Sequence, residues 1–306
     1  MIPRGIHHPN ETIRSRCFYL FYKFIKEDRS DISYELVGTL LNAIRDLLTF
    51  DIQLPELDNP AEQDLLTEAV NNPGSFDSQL YLFEIIGLVV SICFKNADET
   101  AALMLSFVQP LLDELERNLQ AIKSAQDVLQ IVTVHHIIMA LGNIAKGFPD
   151  TPQPIPEGYI PPPIPIFRQM TQAIVVSLGA MNVFKPVRDA ARFAFSRIVA
   201  TTGSSVTDFI PSLMTNLLSH FEPTELVDFM NFIGLLMHKL NTEMADVLNQ
   251  LVNPLNARIS DLLSSAITGT DDKLTHVETK RAYLTFLISI ISNKLHGVLI
   301  SEGMCI

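Results

Sequence analysis

Tryptophan is absent from these 306 residues, cysteine occurs three times and glycine 13 times. The scarcity of glycine tells against a glycine-rich α/β enzyme. Gly87, Gly142, Gly179 and Gly234 are isolated, and none belongs to a GxGxxG or GxxxxGK run that could cradle a phosphate. Cys17, Cys93 and Cys305 lie far apart, with neither CxxC spacing nor an even-numbered framework, so a disulfide scaffold is excluded and a reducing compartment is predicted. Cys17 and Cys93 read as core thiols. Residues 1–8 hold no apolar run that could act as a secretory signal. Long clean apolar stretches are also missing: 81–94 contains Glu84, and 284–300 is broken by Asn293, Lys294 and His296. Neither reaches the roughly 20 residues of a membrane span, so the chain is predicted to be soluble, with no membrane contact. Positive charge is in short supply too, with 22 Lys and Arg against 34 acids and a net charge of −12. Taken alone, that total argues against a simple nucleic-acid binder, because phosphate contacts need local positive charge.

What the chain has in abundance is aliphatic residues: 47% of it is hydrophobic and 18% charged, enough to bury a large core. The apolar residues recur with helical periodicity nearly everywhere, and no alternating strand pattern appears. Helices are predicted at 10–28, 32–49, 77–95, 98–122, 125–147, 162–182, 185–202, 205–220, 223–241, 244–267 and 273–299, about 11 in all. Ser33, Asp98, the Gly203-Ser204-Ser205 break and the Glu222-Pro223-Thr224-Glu225 first turn supply start and stop signals. Two segments interrupt the rhythm. Residues 50–76 read as an exposed acidic loop, and 148–165, with prolines at 149, 152, 154, 156, 161, 162, 163 and 165, reads as a stiff extended connector.

Helices of about twenty residues joined by short links make hairpins of about 40–47 residues, the spacing of a helical repeat. A proline near a helix start followed by an apolar stripe recurs at Pro110, Pro165, Pro211 and Pro254. The run from Lys185 to Phe195, followed by Phe209-Ile210-Pro211, is similar to the HEAT-repeat pattern: Ala190, Ala191 and Ala194 allow close helix approach, while Val187, Phe193, Ile198 and Val199 supply contacts. A lone hairpin cannot bury both faces, so the prediction is an all-α solenoid of HEAT-type antiparallel hairpins, one segment spanning 1–306.

Catalytic chemistry finds little support, and no catalytic, metal or cofactor residue is predicted. His135 and His136 are adjacent, so on a helix they point about 100° apart and cannot share a metal as i, i+4 ligands would; one is expected buried and one exposed. Glu84 is either a perturbed carboxylate or an edge residue contacting a neighbouring helix. No nucleophile stands beside a base.

Charge is more informative when divided along the chain. Residues 1–30 carry +3, 31–130 carry −13, 131–200 carry +3 and 201–306 carry −5. A cationic track can therefore coexist with an acidic total. Lys185, Arg188 and Arg192 fall at i, i+3 and i+7 and share one helix face, where they could grip phosphates; Arg188 could equally tie neighbouring repeats together through acids such as Asp189. Arg14, Arg16, Lys23, Lys26 and Arg29 are spread round an N-terminal helix, so only some can face one partner.

The segment from His8 to Lys26, with Thr12-Ile13-Arg14-Ser15-Arg16 and Tyr19-Leu20-Phe21-Tyr22-Lys23-Phe24, resembles a helix of the exportin-T family in the importin-β superfamily. Asp77-Ser78-Gln79-Leu80-Tyr81-Leu82-Phe83-Glu84, Phe209-Ile210-Pro211, Asp228-Phe229-Met230 and Lys280-Arg281-Ala282-Tyr283 follow in that family's order. The resemblance implies a middle to C-terminal fragment of a nuclear export receptor that shuttles between nucleus and cytoplasm. Its implied partners are tRNA, read by shape and backbone charge, the GTPase Ran in its GTP form, mainly through repeats absent from this chain, and nuclear pore proteins; the receptor would be a monomer. The proline-rich insert is not a feature of that family. Arg16, Lys23, Lys185, Arg188 and Arg192 are the candidate RNA-binding residues. The alternative is a protein-binding HEAT scaffold or import receptor without RNA binding, which the acidic block at 31–130 favours.

Overall fold

A computed structural model of the chain describes residues 2–57, 59, 64–93, 97–123 and 127–300. The fold is an all-α solenoid, and every regular element among the described residues is a helix. Contacts group the chain into two compact units, Met1–Thr202 and Gly203–Ile306.

The first unit contains α1 (Ile2–Ile6), α2 (Glu11–Glu27), α3 (Tyr34–Asn42), α4 (Leu65–Asn71), α5 (Phe76–Val90), α6 (Ala97–Ala121), α7 (Val128–Gly147), α8 (Ile164–Met181) and α9 (Lys185–Thr202). Helices α2, α5, α7 and α9 pack in succession as one layer, while α6 and α8 pack on each other and on α7 and α9 as a second. This is how stacked hairpins bury faces that a single hairpin leaves open. Asn10 starts α2, its side-chain oxygen accepting the Ile13 amide at 3.1 Å.

Close approach in the first layer depends on glycine. A Cβ on Gly87 of α5 would lie 2.1 Å from the Ile144 carbonyl of α7, and one on Gly147 would lie 2.2 Å from the Glu84 carbonyl. The two helices cross backbone to backbone, and neither position has room for a methyl group. Helix α7 also meets α4 and α6, so almost its whole circumference is buried. By length and composition it could cross a membrane, yet 78% of its most apolar window lies inside the protein, as suits a core helix.

Two breaks in the sequence pattern look different in the structure. The segment at 50–76 is not a loop throughout: α4 forms within it, with the Asp64 carboxylate accepting the Thr67 amide at 2.9 Å and Leu66 and Ala69 buried. The proline-rich connector is non-helical until Ile164, as expected, and it is stitched down. The Thr151 amide and hydroxyl donate to the carbonyls of Ala200 and Thr201, at 2.8 and 2.6 Å. Phe148 is buried edge-on against Phe167.

The second unit contains α10 (Ile210–Ser219), α11 (Leu226–Leu240), α12 (Ala245–Ser264) and α13 (Thr270–Ser292), with short 3-10 turns leading into α11 and α12 and a non-helical link at 265–269 before α13. Helix α13 packs on α11 and α12 through His276, Thr279, Phe286 and Ile290. Its other side exposes Leu274, Val277, Leu284, Ile288 and Ile291.

The recurring proline does not mark one structural position. Pro165 and Pro211 occupy first turns, where the missing amide costs nothing, but Pro110 and Pro254 lie inside α6 and α12. An interior proline costs about 3 kcal/mol. Both helices carry a long buried stripe through it, with Met104, Phe107, Val108, Leu111 and Leu115 in α6, and that packing keeps the helix continuous.

Candidate nucleic-acid interface

Two helices carry the candidate cations, α2 and α9. On α2, Arg16, Tyr19, Lys23 and Lys26 follow at i, i+3, i+7 and i+10 and so share one face. Arg16, Lys23 and Lys26 are exposed. Arg16 lies over the Tyr19 ring, 5.1 Å from its centroid, and Tyr19 meets Tyr81 of α5 edge-on at 5.5 Å. Lys23 is paired with Glu27 one turn along at 3.1 Å; hydrogen bonding and charge attraction to Glu27 raise its pKa. The neighbouring cations turn elsewhere. Arg14 of α2 donates to the His8 carbonyl at 3.2 Å, and Arg29, in the 3-10 turn after α2, to the Ser91 hydroxyl at 2.7 Å.

Lys26 leads into a polar node beneath this face. Its ammonium donates to the Tyr22 hydroxyl at 2.7 Å and lies 5.2 Å from that ring's centroid. Tyr22 in turn donates to Glu84 Oε1 at 2.9 Å, while Lys146 of α7 donates to Glu84 Oε2 at 2.7 Å. Glu84 is 3% exposed, so a buried carboxylate is satisfied by one tyrosine and one lysine from two different helices. Burial, then the hydrogen bond to Glu84, pushes the Tyr22 hydroxyl up to about 12, which keeps it a donor at neutral pH. Of the two sequence readings of Glu84, contact with neighbouring helices is the one seen, and it is a buried contact rather than an edge one.

On α9 the shared face of Lys185, Arg188 and Arg192 is real, but most of it points inward. Arg188 is 0% exposed and donates to the Asn182 carbonyl at 2.7 Å. Arg192 is 6% exposed and paired with Asp189. Neither guanidinium has surface with which to meet a phosphate, so both are withdrawn as RNA contacts. The reason is packing: α9 lies against α7 and α8, and its cation face is turned into the protein. Lys185 is half-exposed and also spends its charge on Asp189, at 2.7 Å. Asp189 therefore serves two cations at once.

Both histidines are buried, His135 at 8% and His136 at 3%, contrary to the expectation of one exposed ring. An adjacent pair shows two faces 100° apart, but α7 has neighbours on both. His136 stacks on Phe76 with centroids 3.5 Å apart, and its Nδ1 lies 3.1 Å from Nδ1 of His135. Burial pulls the His135 pKa down to about 4, with Asp189 opposing, and burial plus the neighbouring ring pulls His136 to about 3. They are neutral core residues. Among the described residues, no group of three or more His, Cys, Asp or Glu is placed to hold a metal ion. Cys17 is half-buried beside Gly5; the Cys93 side chain and Cys305 lie outside the described residues.

Sequence reasoning passed over Lys146 and the tyrosines. One signal was available: Glu84 lies in the apolar run 80–90 of α5 and Lys146 is the one Lys, Arg, Asp or Glu of α7, and such charges are rarely buried unless paired. What periodicity could not supply was that the two helices cross at these residues.

Comparison with known proteins matches residues 1–304 to the Exportin-T family model. An Exportin-T of Laccaria bicolor is 56% identical over 98% of this chain, and one of Coprinopsis cinerea is 51% identical over the same share. An Exportin-T of Mycosarcoma maydis is 36% identical, again over 98% of the chain. The chain spans only about 28% of the length of the first two and 27% of the third.

Proposed function

The chain belongs to the exportin-T family, and from that premise we propose that it is one HEAT segment of a nuclear export receptor that carries tRNA from nucleus to cytoplasm with Ran-GTP. The carrying observation is the family match across residues 1–304, at 56% identity to one relative. Within the receptor this segment contributes part of an electrostatic track for the RNA backbone. It performs no catalysis and uses no cofactor, and the receptor shuttles between nucleus and cytoplasm as a monomer. Ran-GTP engages mainly repeats outside this chain, and nuclear pore proteins are further partners.

Shape and backbone reading suits double-helical RNA, whose deep, narrow major groove excludes side chains. It demands exposed cations on a rigid surface. The exposed cationic stripe of α2, anchored in the first layer, supports this reading; of the residues chosen from sequence, Arg16 and Lys23 on α2 and Lys185 on α9 remain able to reach a ligand. The surplus of acid in 31–130 favours a second reading, a receptor for basic protein cargo.

Binding of the whole receptor to tRNA, with and without Ran-GTP over a salt series, separates the two. Export predicts Ran-GTP-dependent binding whose affinity falls steeply with salt. Absence of tRNA binding even with Ran-GTP present would sink the reading.

A further inference from the structure

The three cations that end on one surface of the first unit differ from ordinary surface cations in how they are held. Arg16 rests on the face of Tyr19. Lys26 is held by the hydroxyl of Tyr22, and Lys146 by the carboxylate of Glu84. Tyr81 lies between Tyr19 and Tyr22, at 5.5 and 5.1 Å, and closes the row. The cations and their anchors come from α2, α5 and α7, three helices in direct succession, two of which cross at the Gly87–Gly147 contact. Their relative positions are thus fixed by backbone packing rather than by loops.

We propose that Arg16, Lys26 and Lys146 form a pre-organised site for backbone phosphates of the RNA cargo, positioned by Tyr19, Tyr22 and Glu84. The inference rests on the tRNA-receptor reading and adds residues to it: Lys26 and Lys146 enter, and Lys23 becomes secondary.

Three physical points support it. An ammonium has three donors, and Lys26 and Lys146 each direct one inward, so donors remain for a phosphate. Ordering long side chains normally costs binding energy; here the ring, hydroxyl and carboxylate have already ordered them. The charge balance is also favourable. Glu84 offsets one of the three cations, leaving a local excess on an exposed face, whereas Lys23 is matched by Glu27 and the α9 cations that share Asp189 are largely turned inward. Arg16 and Lys26 are ten residues apart on one helix, about 15 Å at 1.5 Å per residue, which is long enough to follow several phosphates along a strand.

RNA is favoured over an acidic peptide by this spread. Regularly spaced charges suit a row of fixed cations, and the guanidinium fork matches phosphate oxygens in pairs.

The test uses the whole receptor with Ran-GTP and a tRNA probe. Removing one phosphate contact lowers the slope of log K against log salt by about 0.9, or about eightfold in affinity at 0.1 M salt. Arg16→Gln with Lys26→Gln is therefore expected to weaken tRNA binding at least tenfold and to flatten the slope by about 2. Neither substitution removes a partner of Glu84, so the thermal unfolding midpoint stays at the wild-type value. Restoring charge with Lys26→Arg in the Arg16→Gln background recovers about half of the lost slope. Wild-type affinity and slope in the double variant, with the unmodified receptor binding tRNA normally, would overturn this site and leave the export reading intact. A loss that Lys26→Arg does not recover would overturn it as well, because the effect would then be structural. If the unmodified receptor binds no tRNA, the export reading falls, and this site falls with it.

Discussion

Helices α2 and α9 carry similar numbers of cations and put them to opposite uses. On α2, Arg16 sits on the Tyr19 ring and Lys26 on the Tyr22 hydroxyl, and both side chains are exposed. On α9, Arg188 and Arg192 are withdrawn into the protein, and the charges of Arg192 and Lys185 are spent on Asp189. The helices differ first in their neighbours: α9 meets α7 and α8, whereas α2 has α5 along one side and exposes Ile13, Leu20 and Phe24 on another. They differ next in local acids, since an acid within one turn of a cation cancels it before any ligand arrives. A basic stripe in a helical repeat is thus a binding face only where the repeat leaves it uncovered and unpaired.

The sharpest way to break this comparison is Arg188→Ala. If the guanidinium is a core group, its loss opens a cavity and removes its hydrogen bond to the part-buried Asn182 carbonyl, at a cost of about 3 kcal/mol. Urea unfolding of the chain followed by circular dichroism would register it. A loss below about 1 kcal/mol would mean that Arg188 reaches water and that α9 resembles α2 after all.

Acid provides a second contrast of comparable size, because it acts on α7, the neighbour of α9. His135 and His136 have folded pKa values of about 4 and about 3, below the unfolded value of 6.5. Between those limits the unfolded chain binds more protons, so the stabilisation is complete above pH 6.5 and is lost as pH falls. Each histidine contributes a slope of about 1.4 kcal/mol per pH unit while only the unfolded form is protonated. Stability measured from pH 7 to pH 5 should fall accordingly, and His136→Phe, which keeps an aromatic ring against Phe76, should remove about half of the dependence. A flat profile in the unmodified chain would show that the pair is not buried in solution.

How much of this was legible beforehand follows from the same contrast. Periodicity located α2, α6, α7, α8 and α9 to within about three residues, because each carries a continuous apolar stripe and has recognisable ends. It missed α4, a seven-residue helix whose only core residues are Leu66 and Ala69, too few to show a period. Shared faces were also legible, since i, i+3 and i+7 spacing is local geometry. Whether a shared face looks outward is not local. Arg188 and Arg16 both follow apolar or small residues in their helices, and only the position of α7 and α8 relative to α9 separates them. The same missing information made His135 and His136 look half-exposed, and it hid the meeting of Glu84 with Lys146 across 62 residues of sequence. Composition misled in a different way: a total of −12 says nothing about a layer in which acids are paired or buried beneath cations.

The smallest expected effect tests the rule most directly, because it ignores which helix a residue belongs to. Lys23 on α2 and Lys185 on α9 are each paired with an acid one turn on, Glu27 at 3.1 Å and Asp189 at 2.7 Å. If pairing rather than location decides, the two lysines behave alike despite their different helices. Lys23→Gln and Lys185→Gln, made separately in the whole receptor, should each change tRNA affinity by less than about twofold, since exposed pairs of this kind are weak and already charge-balanced. The discriminating companions are Glu27→Gln and Asp189→Asn, which release the cation. Freeing Lys23 on the open face of α2 should tighten tRNA binding measurably at low salt. Freeing Lys185 should do so less, because loss of the Asp189 carboxylate also removes an ion-pair partner of the buried Arg192 and lowers stability. An equal gain from both releases would mean that burial of the surrounding α9 face does not matter, and the distinction between the two helices would then rest on pairing alone.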